Sequence, residues 1–305
     1  MKFYKIFIAI ISLFVVFNFV NCGGGSSSSS TETGTLSLSL TDAPLADDAN
    51  VTGVYITITG IEYHTAQGGW KTMEDFNTSV NPINLLDWQN GASISLGDFQ
   101  MPAGKYTQIR FMLDAAEESE RPKSNTGCFI EFNHDTNETL YVPSGSQTGY
   151  KAIGTYDVPV NGTVNMTADF DVRKSIVNSG SYYKLKPTIK LVVTDEAGKI
   201  TGTLSNLDIN STYVIYAYEY DNGTTTWDIN ETNVVDDIRF PNATASTALQ
   251  DNGAYTLAFL AVGTYDLVLA EYDVNGTYII PSIPLPNQTD IHVESGQITI
   301  IDWSL

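Results

Sequence analysis

The chain has 305 residues, with 15 Lys and Arg against 35 Asp and Glu, a formal charge of −20 and a pI near 4.2. Nucleic acid is set aside as a partner, because binding it rests on cations that displace counterions from phosphate, and anionic headgroups would repel the same surface. Two cysteines cannot build a disulfide framework, so stability has to come from a hydrophobic core, and the length suits two domains.

Residues 1–21 begin with Lys2 and Lys5, run apolar from Ile6 to Phe17 and end Asn18-Phe19-Val20-Asn21, directly before Cys22. A cationic start, an apolar run shorter than the ~20 residues of a membrane span, and an abrupt change to Gly23-Gly24-Gly25 and Ser26 to Ser30 describe an export signal. With Val20 two residues before Cys22, the segment resembles a bacterial lipoprotein signal. That resemblance implies cleavage before Cys22, acylation of Cys22 and attachment to a membrane through the lipid. Gly23, rather than Asp, after the cysteine implies the outer membrane of a cell envelope. An uncleaved membrane anchor is the alternative. Loss of residues 1–21 removes two lysines and no acids, leaving 13 bases, 35 acids and a formal charge of −22. Residues 22–33 then form a lipidated tether whose Gly/Ser composition gives a random coil of about 17–20 Å mean span. Several acyl chains make such an attachment firm, at about 0.8 kcal/mol per buried methylene.

From residue 34 onward the chain alternates at period two, and helical periodicity is nearly absent. Leu36, Leu38 and Leu40 alternate with Ser37 and Ser39; Val54, Ile56 and Ile58 with Tyr55 and Thr57; Ile109, Phe111 and Leu113 with Arg110 and Met112; Val164, Met166, Ala168 and Phe170 with Asn165, Thr167 and Asp169. One apolar and one polar face predicts antiparallel sheets packed over a shared core. Turns are expected at Asn90-Gly91, Asn161-Gly162, Asn222-Gly223, Asn252-Gly253 and Asn275-Gly276. Cys128 stands in the strand-like run Cys128 to Phe132, as a small buried apolar residue rather than a nucleophile. Ala115 to Thr126 is expected as a surface loop, Leu185 to Thr194 as one long strand, and Pro281 to Pro286 as another loop. The alternation restarts at Lys199 to Leu204 after Asp195-Glu196-Ala197-Gly198, so a domain boundary is placed near residue 196. The expected fold class is all-β: two antiparallel β-sandwich domains, residues 34–196 and 197–305, behind a signal peptide and flexible tether.

Ordered motifs run through the first domain: Leu40-Thr41-Asp42-Ala43-Pro44, Leu85-Leu86-Asp87 before Asn90-Gly91, Met101-Pro102-Ala103-Gly104-Lys105-Tyr106, Val142-Pro143-Ser144-Gly145, Asp169-Phe170-Asp171 with Lys174-Ser175, and Tyr183-Lys184-Leu185-Lys186-Pro187. On these, residues 34–196 resemble the family known as domain of unknown function 4382, found in exported bacterial and archaeal proteins. The resemblance implies a β-sandwich and no activity. Residues 197–305, on Ile200-Thr201-Gly202-Thr203-Leu204, Asn252-Gly253-Ala254-Tyr255 and Gly263-Thr264-Tyr265-Asp266-Leu267, resemble transthyretin-like sandwiches of the carboxypeptidase regulatory-like type. These group with carbohydrate-binding-like folds.

Catalysis has little to draw on. His64, His134 and His292 are the sole imidazoles, no two at metal-ligand spacing, and no zinc-protease, serine-hydrolase, Cys-x-x-Cys or phosphate-loop motif is present. The chain is therefore read as a non-enzyme. Asp42, Asp169 and Asp171 are hard oxygen donors that would suit calcium; the alternative is solvated acids with an Asx turn at Asp42. Tyr216, Tyr218 and Tyr220 share one strand face, with Trp227 following. Exposed, they would stack sugar rings; turned inward, they are core. The leading expectation is a glycan-recognition module, the second a scaffold or adhesin component binding envelope proteins, and the third an enzyme working through carboxylates. Exposure of Tyr216, Tyr218, Tyr220 and Trp227 separates the first two.

Overall fold

A computed structural model describes residues 32–45, 50–65, 68–124, 127–133, 136–143, 148–220, 239–279 and 287–305. Cys22, His134, Trp227, Asn222-Gly223 and the loop 281–286 lie outside the described residues. Leu36, Leu38 and Leu40 point into a core at 0–1% exposure while Ser37 and Ser39 stay half-buried on the other face, as period-two alternation requires. Their strand, Thr33–Asp42, runs parallel to Thr163–Phe170, so that Leu36, Leu38 and Leu40 meet Val164, Met166 and Ala168 across the pair.

Eight described strands form the larger sheet of the first half. Their order is Trp70–Thr72, Ile58–His64, Gly104–Leu113, Tyr150–Val158, Ile189–Val193, Thr163–Phe170, Thr33–Asp42 and Ile94–Pro102. A second sheet, containing Val51–Ile56, Phe129–Phe132, Thr136–Tyr141 and Tyr183–Leu185, closes the core with Val54, Ile56, Ile130 and Leu140. Cys128 is fully buried in it.

The second half has two four-stranded sheets. One holds Ala254–Leu260, Gly198–Ser205, Ile298–Ile300 and Trp303–Ser304; the other orders Ala245–Ala248, Thr212–Glu219, Gly263–Tyr272 and Asn287–Val293. Ile200, Ile215, Leu257, Leu267 and Leu269 fill the space between them. Both cores lie in one compact unit, Glu32–Leu305.

The chain is all-β and sandwich-like, and its sheets are mixed. Besides Thr33–Asp42 with Thr163–Phe170, parallel pairs join Tyr150–Val158 to Ile189–Val193, Thr136–Tyr141 to Tyr183–Leu185, and Gly198–Ser205 to Ile298–Ile300. Alternation reports which face is buried; it carries no information on the direction of the neighbouring strand. The expected long strand from Leu185 to Thr194 is broken after Leu185. Pro187 lacks the N–H a ladder needs, and the flanking pieces Tyr183–Leu185 and Ile189–Val193 enter different sheets. Asn90 (φ 55°) and Gly91 (φ 81°) both take positive φ, as a tight Asn-Gly turn demands. Among the described residues no helix is long and apolar enough to cross a membrane.

Candidate functional site

The strand Thr212–Glu219 is buried along both faces. Tyr213, Ile215 and Ala217 face the core between the two sheets, and Val214, Tyr216 and Tyr218 face the other way into a separate apolar cluster with Phe240, Ala270 and Tyr272. Tyr216 and Tyr218 are 0% and 1% exposed. The Phe240 ring stacks on Tyr216 at 4.2 Å, Tyr278 meets Phe240 and Tyr272 edge-on at 5.7 Å, and the Tyr216 and Tyr272 hydroxyls share a 2.7 Å hydrogen bond. The expected sugar-stacking row is thereby corrected for these two residues. Period two placed them on a common face correctly, but that face is covered. Tyr220, at the strand end, is 37% exposed.

Part of the cover comes from the first half. Asp171 ends the Thr163–Phe170 strand and caps the short helix Val172–Ser175, its Oδ1 accepting from the Lys174 N–H at 3.2 Å. Asp42, at the end of the neighbouring strand, accepts from the Val172 N–H at 3.0 Å. These two contacts aim the helix at the second half. Arg173, 4% exposed, lies 5.3 Å from the centroid of the Tyr216 ring. Its Nη1 donates to the carbonyls of Arg239 and Phe240, both at 2.8 Å, and its Nη2 pairs with Asp171 Oδ2 at 3.3 Å. Lys174 Nζ donates to the Ala243 carbonyl at 2.5 Å and Lys190 Nζ to the Thr244 carbonyl. Burial lowers the pKa of Lys174, with Arg173 and Lys190 adding to the effect and Asp171 opposing it. Three cations of an acid-rich chain are thus held against the carbonyls of one stretch, residues 239–244.

Asp42, Asp169 and Asp171 come together at this seam. They line a cavity of about 30 Å³, which Ser246 and Phe259 close from the second half. Burial raises the pKa of Asp42 well above the usual carboxylate range; Asp171 and Asp169 add to this, while the Val172 and Ala43 N–H groups oppose it. Asp169 is pushed up to about 6, again by burial first; Asp171 adds, and Lys190, Lys174 and Arg173 oppose. Among the described residues no group of three His, Cys, Asp or Glu is arranged to hold a metal ion. Protein donors take several of the oxygens: Asp42 Oδ1 accepts a backbone N–H, and Asp171 takes a backbone N–H, Arg173 and Lys174.

Beside the cavity an open groove of about 540 Å³ runs between Asn90 and Asp195 on one side and Lys199, Phe259 and Gln297 on the other. Phe259 stands at φ 55°, where the pairing of Ala254–Leu260 with Gly198–Ser205 skips a register. Asn90 is fixed there by a 2.7 Å hydrogen bond from Thr247 Oγ1.

The remaining candidates lie apart. His64 packs edge-on to Trp70 at 5.1 Å, and His292 Nδ1 sits 3.0 Å from Thr264 Oγ1. The Cys128 thiol is pushed up to about 12 by burial and is not a nucleophile at neutral pH. Sequence reasoning missed Arg173, Lys190 and Phe240. A signal existed in Asp169-Phe170-Asp171-Val172-Arg173-Lys174, a dense mix of both charges in a chain with few bases.

Residues 33–187 match the model of the family described as Domain of unknown function (DUF4382). No curated protein matches the chain. Solved structures similar to it include the TIE protein of Bacillus anthracis (11% identity, 89% of this chain and 33% of that one, TM-score 0.20). Others are GBS52, the minor pilin of Streptococcus agalactiae (12%, 88% and 94%, 0.21), and BcpA, the major pilin subunit of Bacillus cereus (10%, 90% and 70%, 0.21). The chain spans about a third of the length of the TIE protein. At such TM-scores these likenesses carry no inference about what the chain binds or builds.

Proposed function

We propose, for a chain that belongs to the DUF4382 family, a non-catalytic structural or adhesive role at the cell envelope, held to a lipid leaflet through acylated Cys22. In this reading the family domain is the membrane-proximal module and residues 197–305 are a transthyretin-like module joined rigidly to it. What supports it is the fate of the tyrosine face. Tyr216 and Tyr218, the residues best suited to stacking a ligand, are covered: Tyr216 lies under Arg173 of the first half and against Phe240 of its own half, and Tyr218 is packed in the same apolar cluster. A covered surface serves packing rather than recognition.

The reading is tested by adhesion and glycan-array measurements on the mature protein, alongside fractionation of a Cys22→Ser variant. Expected are loss of membrane association in the variant and silence on glycans. Saturable glycan binding lost on Tyr220→Ala or Trp227→Ala would restore recognition as the main role.

Glycan recognition stands as a second reading on one specific observation. The groove between the halves offers an aromatic ring, Phe259, beside the amides of Asn90 and Gln297 and the ammonium of Lys199, a combination that suits polyhydroxylated rings.

A further inference from the structure

The cavity at the seam has acids on one wall and a hydroxyl on the other. Asp42 is 7% exposed and Ser246 8%, and among the described residues neither Oδ2 of Asp42 nor Oγ of Ser246, both buried, has a hydrogen-bond partner. An ionised Oδ2 in that place would be a buried anion without a hydrogen bond, which a buried site strongly disfavours. A protonated carboxyl carries its own hydrogen into the space that Ser246 also lines. Asp169 sits beside Lys190 on the adjacent strand, and Lys190 reaches across to the Thr244 carbonyl.

We propose that the seam is a proton-operated latch: protonated Asp42 and Asp169 keep the second half closed on the first, and their ionisation loosens it. The groups facing Asp42 are Asp171, Asp169, the N–H groups of Val172 and Ala43, and Ser246 on the second half. Those facing Asp169 are Lys190, Asp171, Lys174 and Arg173. Once ionised, Asp169 competes for the same lysine ammonium groups that grip the carbonyls of Ala243 and Thr244.

The sign follows from linkage. Both carboxyls hold their protons more tightly folded than unfolded, so their contribution is complete below the ordinary carboxylate range. It is lost as pH rises through about 6 for Asp169, and as pH rises above the ordinary carboxylate range for Asp42, whose pKa burial raises well above that range. Glu118, Glu120 and Asp273 are shifted the other way, by hydrogen bonds from Lys184, Lys123 and the Thr277 N–H first in each case, and act only below that range.

The test is the thermal midpoint of the full mature protein in detergent from pH 5 to pH 8, with limited proteolysis near residues 194–198 to read seam opening. The wild type should open at least about tenfold more at pH 8 than at pH 5, because a carboxyl that binds its proton tenfold more tightly in the closed state changes the opening equilibrium by the same factor. Asp42→Asn and Asp169→Asn imitate the protonated groups and should flatten that dependence and raise the midpoint at pH 8. If both keep the wild-type slope, the net charge of the chain causes it and the latch is overturned. Should the variants fail to fold, infrared spectroscopy of the wild type decides. A carbonyl band of a buried protonated acid at pH 5, lost by pH 8 together with seam closure, is expected; its absence at pH 5 overturns the proposal.

Discussion

Arg173 and Tyr216 belong to opposite halves of the chain, and the guanidinium carbon of the first lies 5.3 Å from the ring centroid of the second. Cation and ring attract each other more strongly where water is excluded, and here both residues are almost wholly buried. The same guanidinium pairs with Asp171 and caps two carbonyls, so one side chain holds strand end, helix and second half together.

Removing it leaves a buried carboxylate and two carbonyls short of a donor. Arg173→Ala is expected to lower unfolding stability by about 3–5 kcal/mol, read by denaturant titration. Arg173→Lys recovers only part, because an ammonium cannot span two carbonyls and a carboxylate in the same plane. A loss below about 1 kcal/mol would show that the seam does not depend on this residue.

Phe259 occupies a backbone conformation that costs a side-chain-bearing residue about 1–2 kcal/mol. In a strand, glycine is normally the weaker choice against alanine. At position 259 the order should reverse, with Phe259→Gly more stable than Phe259→Ala by about 1 kcal/mol. Equal or inverted midpoints for the pair would mean that the bulge relaxes in solution.

Gly91 is closed to a side chain for two reasons. Its φ is 81°, and a Cβ there would stand 3.1 Å from Thr256 Cγ2 and 3.3 Å from Ala258 Cβ on the second half. Gly91→Ala should cost about 1–3 kcal/mol and raise cleavage near residues 194–198. An unchanged cleavage rate would place the strain in the turn alone.

Cys128 is fully buried, with its thiol pushed up to about 12. A maleimide reagent at pH 7.5 should leave it unmodified in the folded protein and label it at once in denaturant. Labelling of the folded protein at a rate typical of an exposed thiol would contradict its place in the core.

Much of the fold was legible because burial writes itself into alternation. Leu36, Leu38 and Leu40 against Ser37 and Ser39 are enough to assign a half-buried strand, and the family motifs lie within residues 33–187, which the family model matches. Strand direction was not legible, since Leu36 meets Val164 in parallel only through a crossover of more than a hundred residues. The seam was half legible. Asp42, Asp169 and Asp171 stood out as a group, yet their donors come from Val172, Arg173 and Lys174 within two or three residues of Asp171, a capping pattern too local to be told from a solvated turn. The face of Tyr216 and Tyr218 was readable; what covers it depends on Phe240 and on Arg173, far away in sequence.

Hydrogen exchange across a denaturant series, followed by mass spectrometry on the intact mature protein, tests the joined halves most directly. Peptides covering Val51–Ile56 in the first core and Thr212–Glu219 in the second should open with the same free energy and the same denaturant dependence. Opening of Thr212–Glu219 at distinctly lower denaturant, with Val51–Ile56 still protected, would contradict the account.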